Sequence, residues 1–113
     1  MDTKESKKIE FNFEGVDYTL MYTVASIRKM ARDGFDFNAM ERDIPNVGYD
    51  LFSGAFIAKH SYVPVKERER IYEQLVAENE DGQNLLGCLL EMASDELEFI
   101  VTHPQGNVKW AMV

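Results

Sequence analysis

The chain opens on two short runs of strict alternation. In Lys8 to Glu14, KIEFNFE, Ile9, Phe11 and Phe13 share one face while Glu10, Asn12 and Glu14 share the other. This is the period of a half-buried strand. Val16, Tyr18, Leu20 and Tyr22 alternate again, so residues 8–22 read as a β-hairpin. A two-residue loop at Glu14-Gly15 sets Ile9, Phe11 and Phe13 opposite Leu20, Tyr18 and Val16, with both apolar faces on one side. A loop at Gly15-Val16 would instead oppose Glu14 and Asp17, two like charges. A three-residue loop with Gly15 in the left-handed conformation is also open.

From Thr23 the period lengthens to that of a helix. Thr23 is placed to cap it, and Val24, Ile27, Met30 and Ala31 form the inward stripe. Arg28, Lys29 and Arg32 oppose the negative end of the helix dipole, Gly34 follows as a left-handed terminator, and Phe35 is expected to fold back on Met30. Phe35 to Pro45 is a short link with one helical turn begun by Asp36 or Asn38, tucking Phe37, Met40 and Ile44 under the next helix. That helix is predicted over Ile44 to Ser61, a stretch apolar on most sides through Val47, Leu51, Phe52, Ala55, Phe56, Ile57 and Ala58. Such breadth marks a central helix. Gly48 and Gly54 would let neighbours approach its backbone closely.

A third helix is predicted over 65–79, with Pro64 in its first turn. It buries Ile71, Tyr72, Leu75 and Val76, and its exposed face carries the pairs Glu67 with Arg70 and Arg70 with Glu73 at helical spacing. The fourth, about Gln83 to Thr102, is leucine-rich and the longest, about 30 Å at 1.5 Å per residue. The final HPQGNVKWAMV alternates through Val108, Trp110 and Met112, which fits either a third strand on the hairpin or an apolar tail. The expected architecture is α+β: an N-terminal hairpin packed on about four helices in one domain, 1–113. Within it, 1–7 is a flexible N-terminus, 8–22 the hairpin, 23–102 the helical part and 103–113 the tail or third strand.

Composition narrows the class. At 113 residues, 45% hydrophobic and 12% aromatic, the chain fits a folded globular domain, one able to bury roughly two-thirds of its extended surface. No apolar run reaches the ~18 residues of a membrane span. The N-terminus, MDTKESKKIE, lacks the apolar core of a secretory signal, so a cytoplasmic location is expected. The net charge of −8 is uneven: Glu73, Glu78, Glu80, Asp81, Glu91, Asp95, Glu96 and Glu98 fall in 73–98 with no basic residue between them. Such a stretch repels nucleic acid and anionic lipid, and is either a solvated acidic face or a surface for a basic protein partner.

Candidate chemistry is sparse. The lone Cys88 excludes an internal disulfide and a multi-cysteine zinc site. Its neighbours Leu85, Leu86, Leu89 and Leu90 predict a buried, inert thiol. His60 and His103 each follow a predicted helix, where an imidazole is an ordinary cap, and no HxxxH or HExxH spacing exists. Asp95, Glu96 and Glu98 lie on a helix surface without an evident perturbing neighbour, and Ser53-Gly54 is not a nucleophile elbow. No catalytic residue, cofactor or metal is expected. The aromatic residues exceed what one small core needs, and aromatics anchor interfaces. Tyr49, Phe52, Phe56 and Trp110 are the expected partner-binding residues, Phe52 and Phe56 on condition that they are exposed.

Taken in order, IEFNFEGVDYTLMYT, a helix ending ARDGFDF, a central LFSGAFIAKHSYV, an amphipathic ERIYEQL, a leucine-rich helix with ELEF and a closing GNVKW resemble the small tail assembly chaperones of long-tailed phages and prophages of Gram-positive bacteria. The resemblance runs from Ile9 to Trp110 and rests on the order and spacing of elements. It implies a non-enzymatic protein of the host cytoplasm that binds the tape measure protein while the tail tube grows around it, and that is absent from the finished virion. The tail tube protein and self-association are further partners it allows, and a frameshifted longer product occurs in many such phages. An acidic adaptor or inhibitor docking on a host protein is the alternative reading.

Overall fold

In the computed structural model, residues 7–77 and 80–102 are described. The N-terminal alternation forms β1 (Lys8–Phe13) and β2 (Val16–Met21), an antiparallel pair in the register Ile9–Leu20, Phe11–Tyr18 and Phe13–Val16. The loop is therefore Glu14-Gly15, and both residues have positive φ, 54° and 85°. Two left-handed residues make a type I′ turn, whose twist matches the strands. Asn12 Oδ1 accepts the Gly15 N–H at 3.1 Å and its Nδ2 donates to Asp17 at 2.9 Å, which ties the strand ends across the loop.

The described helices are α1 (Val24–Arg32), α2 (Ile44–His60), α3 (Val65–Tyr72) and α4 (Gly82–Thr102). A two-stranded hairpin on four helices is the α+β architecture that the pattern predicts. Thr23 caps α1 with Ser26 as its reciprocal partner, each side chain bonding the other's backbone N–H. At the far end Phe35 N–H bonds Met30 C=O and Gly34 N–H bonds Ala31 C=O, with Gly34 at φ 93°. That pair of bonds is a Schellman terminator. The inward stripe is shifted: Ser26, Ile27 and Met30 are buried, and Ala31 is exposed. Ser26 can turn inward because its hydroxyl is already satisfied by Thr23. The link after α1 is begun by Asp36, whose carboxylate accepts the Asn38 N–H.

α2 is the packing centre. Leu51, Phe52, Ala55 and Phe56 have no exposed surface, and the buried Tyr22 hydroxyl donates to the Leu51 C=O at 2.6 Å. Both of its glycines are close approaches. A Cβ on Gly48 would lie 2.8 Å from the Tyr72 hydroxyl, and one on Gly54 would overlap the Met30 side chain. An aromatic file crosses the core: Phe11 on Tyr18 (5.4 Å), Tyr18 on Phe56 (5.4 Å), Phe56 on Phe52 (5.6 Å), Phe52 on Tyr72 (5.4 Å) and Tyr72 on Tyr49 (5.3 Å).

The third helix departs from expectation. Pro64 is its N-cap rather than a first-turn residue, and the α-helix stops at Tyr72, giving way to a π-helical turn over Glu73–Ala77. The wider turn brings Val76, five residues beyond Ile71, onto the buried face with it, while Tyr72 and Leu75 are only partly buried. α4 then packs Leu86, Leu89, Met92, Ala93 and Glu96 inward. Lys7, assigned from sequence to a flexible N-terminus, reaches Asp95 at 2.8 Å and Glu91 at 3.3 Å on α4. The expectations for residues 1–6 and 103–113, third strand or tail included, lie outside the described residues.

Candidate functional site

The expected anchors disperse. Phe52 and Phe56 are interior residues of the aromatic file, so the condition of exposure on which they were expected to bind a partner is not met. They are drawn inward because 52 and 56 share the α2 face that also carries Leu51 and Ala55. Tyr49 is partly buried, edge-on to Tyr72, with its hydroxyl buried and bonded to no described residue. Trp110 and His103 lie outside the described residues. The remaining chemistry is structural as well. Cys88 is exposed, not buried, because α4 turns its 86–89–93 face inward and leaves position 88 outside. Glu96 is buried on that inward face, and Asp95 is held by Lys7, whose ammonium pKa the two carboxylates raise. Neither is the plain helix-surface carboxylate read from sequence: Glu96 faces the core and Asp95 has a basic neighbour. His60 is the last residue of α2 rather than one that follows it, and its Nε2 accepts the Thr19 N–H of β2 at 2.9 Å. Among the described residues no three His, Cys, Asp or Glu side chains gather as metal ligands, and no helix is long and apolar enough to cross a membrane.

What the fold does build is a groove. α1 and α2 meet where Met30 lies over Gly54, and along that seam several lining side chains are small: Ala25 and Ser26 on α1, Ser53 and Ala58 on α2, and Ser61 at its C-cap. Two cavities open there, of about 150 Å³ and about 480 Å³. They share Asp33, Ser53 and Ile57, so they are lobes of one groove. The smaller lobe is walled by Met30, Phe35 and Ile57 and carries the carboxylates of Asp33 and Asp50 without a basic residue. The larger is closed by the start of α3, with Val65, Lys29 and Arg68 in its lining.

Its charges are unevenly matched. Asp33 pairs with Lys29 at 3.0 Å. Arg68 donates from Nη1 to the Ser53 hydroxyl at 2.9 Å and lies 6.0 Å from the Phe56 ring, yet makes no ion pair among the described residues, and its Nε is buried without an acceptor. Asp50 likewise has no ion pair among them. A groove with an apolar wall, and with a carboxylate in one lobe and a guanidinium in the other that have no ion pair among the described residues, can hold a peptide segment.

A family model matches residues 5–113. The chain belongs to the DUF5055 family. That family is described as a domain of unknown function, and the match takes in every described element of this chain from β1 to α4. No curated protein and no solved structure matches the chain.

Proposed function

We propose that this DUF5055 chain is a non-enzymatic chaperone of phage tail assembly that binds the tape measure protein in the host cytoplasm as the tail tube forms. The observation that carries the reading is the order of elements: hairpin, short capped helix, central apolar helix, charged amphipathic helix and leucine-rich helix. It is in that order that the chain resembles the small tail assembly chaperones. The groove supports the reading from another direction, since helix surfaces bearing charges without ion pairs among the described residues, beside an apolar wall, suit recognition of a chain segment rather than turnover of a small molecule. The tail tube protein and a second copy are further partners compatible with it.

Co-expression with a tape measure fragment is the test. A co-purifying complex, or a fragment that stays soluble only in the chain's presence, is the expected result; neither a complex nor improved solubility means that the reading is dropped. A tape measure gene immediately downstream would agree with it. The second reading, an acidic adaptor for a host protein, draws on the charge of 73–98, where Glu91 and Asp95 are already engaged by Lys7. A salt-sensitive pull-down of one host protein would favour it.

A further inference from the structure

We propose that the α1–α2 groove is where the partner docks, and that it receives an amphipathic helix carrying a basic side chain for Asp50 and a carboxylate for Arg68. The partner's identity rests on the chaperone reading; the place and the chemistry rest on the groove. From Thr23 to Gly34 the α1 side of the seam is about 16 Å long at 1.5 Å per residue, enough for three turns of helix. Small residues keep it open, and Ile57 and the 55%-exposed Val65 supply apolar contact that water now covers.

The charge pattern selects the occupant. In a chain of net charge −8, the Arg68 guanidinium is partly buried with no carboxylate partner among the described residues, and burial against a partner would require one. Asp50 and Ser53, the residue that holds Arg68, are three apart on α2. The partner's base and acid should therefore lie about one helical turn apart, flanked by apolar residues at three- and four-residue spacing. In the smaller lobe the stem of a lysine or arginine would run along Met30, Phe35 and Ile57, with its head near Asp50 and the C-terminal end of α1, where the helix dipole also favours a cation.

The experiment uses the full chain and the tape measure fragment. Nuclear magnetic resonance shifts on adding the fragment to the unmodified protein should cluster on Ala25, Ser53, Ile57 and Ala58. Ala58→Arg, which fills the groove, and Arg68→Gln should each weaken binding at least about tenfold, the size of one lost charge-assisted contact, with thermal midpoints close to that of the parent. If the fragment binds but shifts map to α4 and both variants bind like the parent, the groove is wrong and the chaperone reading stands. Concentration-dependent groove shifts without fragment would mean that a second copy occupies it, which also overturns the proposal. No binding at all removes both readings. Should a variant unfold, the shift map on the unmodified protein still decides.

Discussion

The Nε2 of His60 accepts the backbone N–H of Thr19, joining the last residue of α2 to β2 at 2.9 Å. Phe13 and Val16 flank a two-residue loop, so alternation of the ladder turns the Thr19 N–H away from β1 toward the open edge. The imidazole covers that edge. Accepting at Nε2 leaves the ring proton on Nδ1, which faces the Tyr62 hydroxyl at 3.4 Å. Burial lowers its pKa, and Lys59 adds to the shift. The fold therefore holds neutral His60, with a folded pKa below the unfolded value of about 6.5. Its contribution is complete above that unfolded value and is lost as pH falls through the folded pKa. Urea titrations from about pH 7.5 to about pH 5 should show stability falling by about 1 kcal/mol, the worth of one such bond. His60→Gln, which keeps an acceptor but does not titrate, should flatten that slope; an unchanged slope would assign it elsewhere.

Glu14 occupies a left-handed position that favours Asn or Gly, and the reason lies on α3. Its carboxylate takes both Nη atoms of Arg70, at 2.7 and 2.8 Å, while Glu67 accepts from the same guanidinium at 2.8 and 2.9 Å and the Phe13 ring lies 5.1 Å away. The bidentate contact clamps the hairpin tip to α3 and lowers the Glu14 pKa. In an Arg70→Ala background, Glu14→Asn should raise the thermal midpoint, because only turn strain remains to be relieved. With Arg70 present the gain should shrink or reverse. Additive midpoints across the four proteins of this cycle would mean that the clamp is not what retains glutamate.

Legibility in the sequence followed the locality of the cause. The hairpin, the Thr23 cap and the Gly34 terminator were readable because each depends on residues within a few positions of one another, whereas the choice among three loops, and with it the register, stayed open. The turn type was not, since Glu14 is a poor I′ residue until Arg70, fifty-six positions away, is known to meet it. The π-helical turn was missed for a similar reason: its widening answers where Ile71 and Val76 must face, and VKERERIYEQLVAEN satisfies an ordinary α-helical pattern. Cys88 and Glu96 were misplaced because a leucine-rich helix does not declare which leucines face inward. The groove escaped entirely. Its signal, Ser53, Ala58 and Ser61 beside Gly54, reads within the predicted helix Ile44 to Ser61 as tolerance for packing, and becomes a lining only once α1 and α3 are placed around it.

Of the three close-approach glycines, Gly54 and Gly82 face different kinds of atom and should respond differently to Ala. At Gly82 an added Cβ would run into the backbone carbonyl of Val76, within the π-helical turn, whereas at Gly54 it would meet the mobile end of Met30. Backbone cannot move aside without disturbing the turn; a thioether can swing. Gly54→Ala also gains up to about 1 kcal/mol of helix propensity, which offsets part of the roughly 1–3 kcal/mol expected for overpacking. Chemical denaturation should therefore rank Gly82→Ala as clearly the more destabilising. A reversed order would mean that Met30 is locked and the turn compliant.

Core and interface roles of the α2 aromatics separate by size of effect. Truncating Phe52 or Phe56 to Ala removes a fully buried ring from the middle of the file and should cost about 3–5 kcal/mol, a loss that mimics defective binding if only binding is measured. Phe52→Leu, closer in volume, should keep the fold and leave fragment affinity unchanged, as a core role requires. Tyr49 tests the other side. Its hydroxyl is buried with no partner among the described residues, and an unsatisfied buried polar group opposes folding by about 1–3 kcal/mol. Tyr49→Phe should then be as stable as the parent or more so, with partner binding intact. A Tyr49→Phe protein that folds normally but loses the fragment would return Tyr49 to the interface and move the docking surface toward Tyr72 and α3.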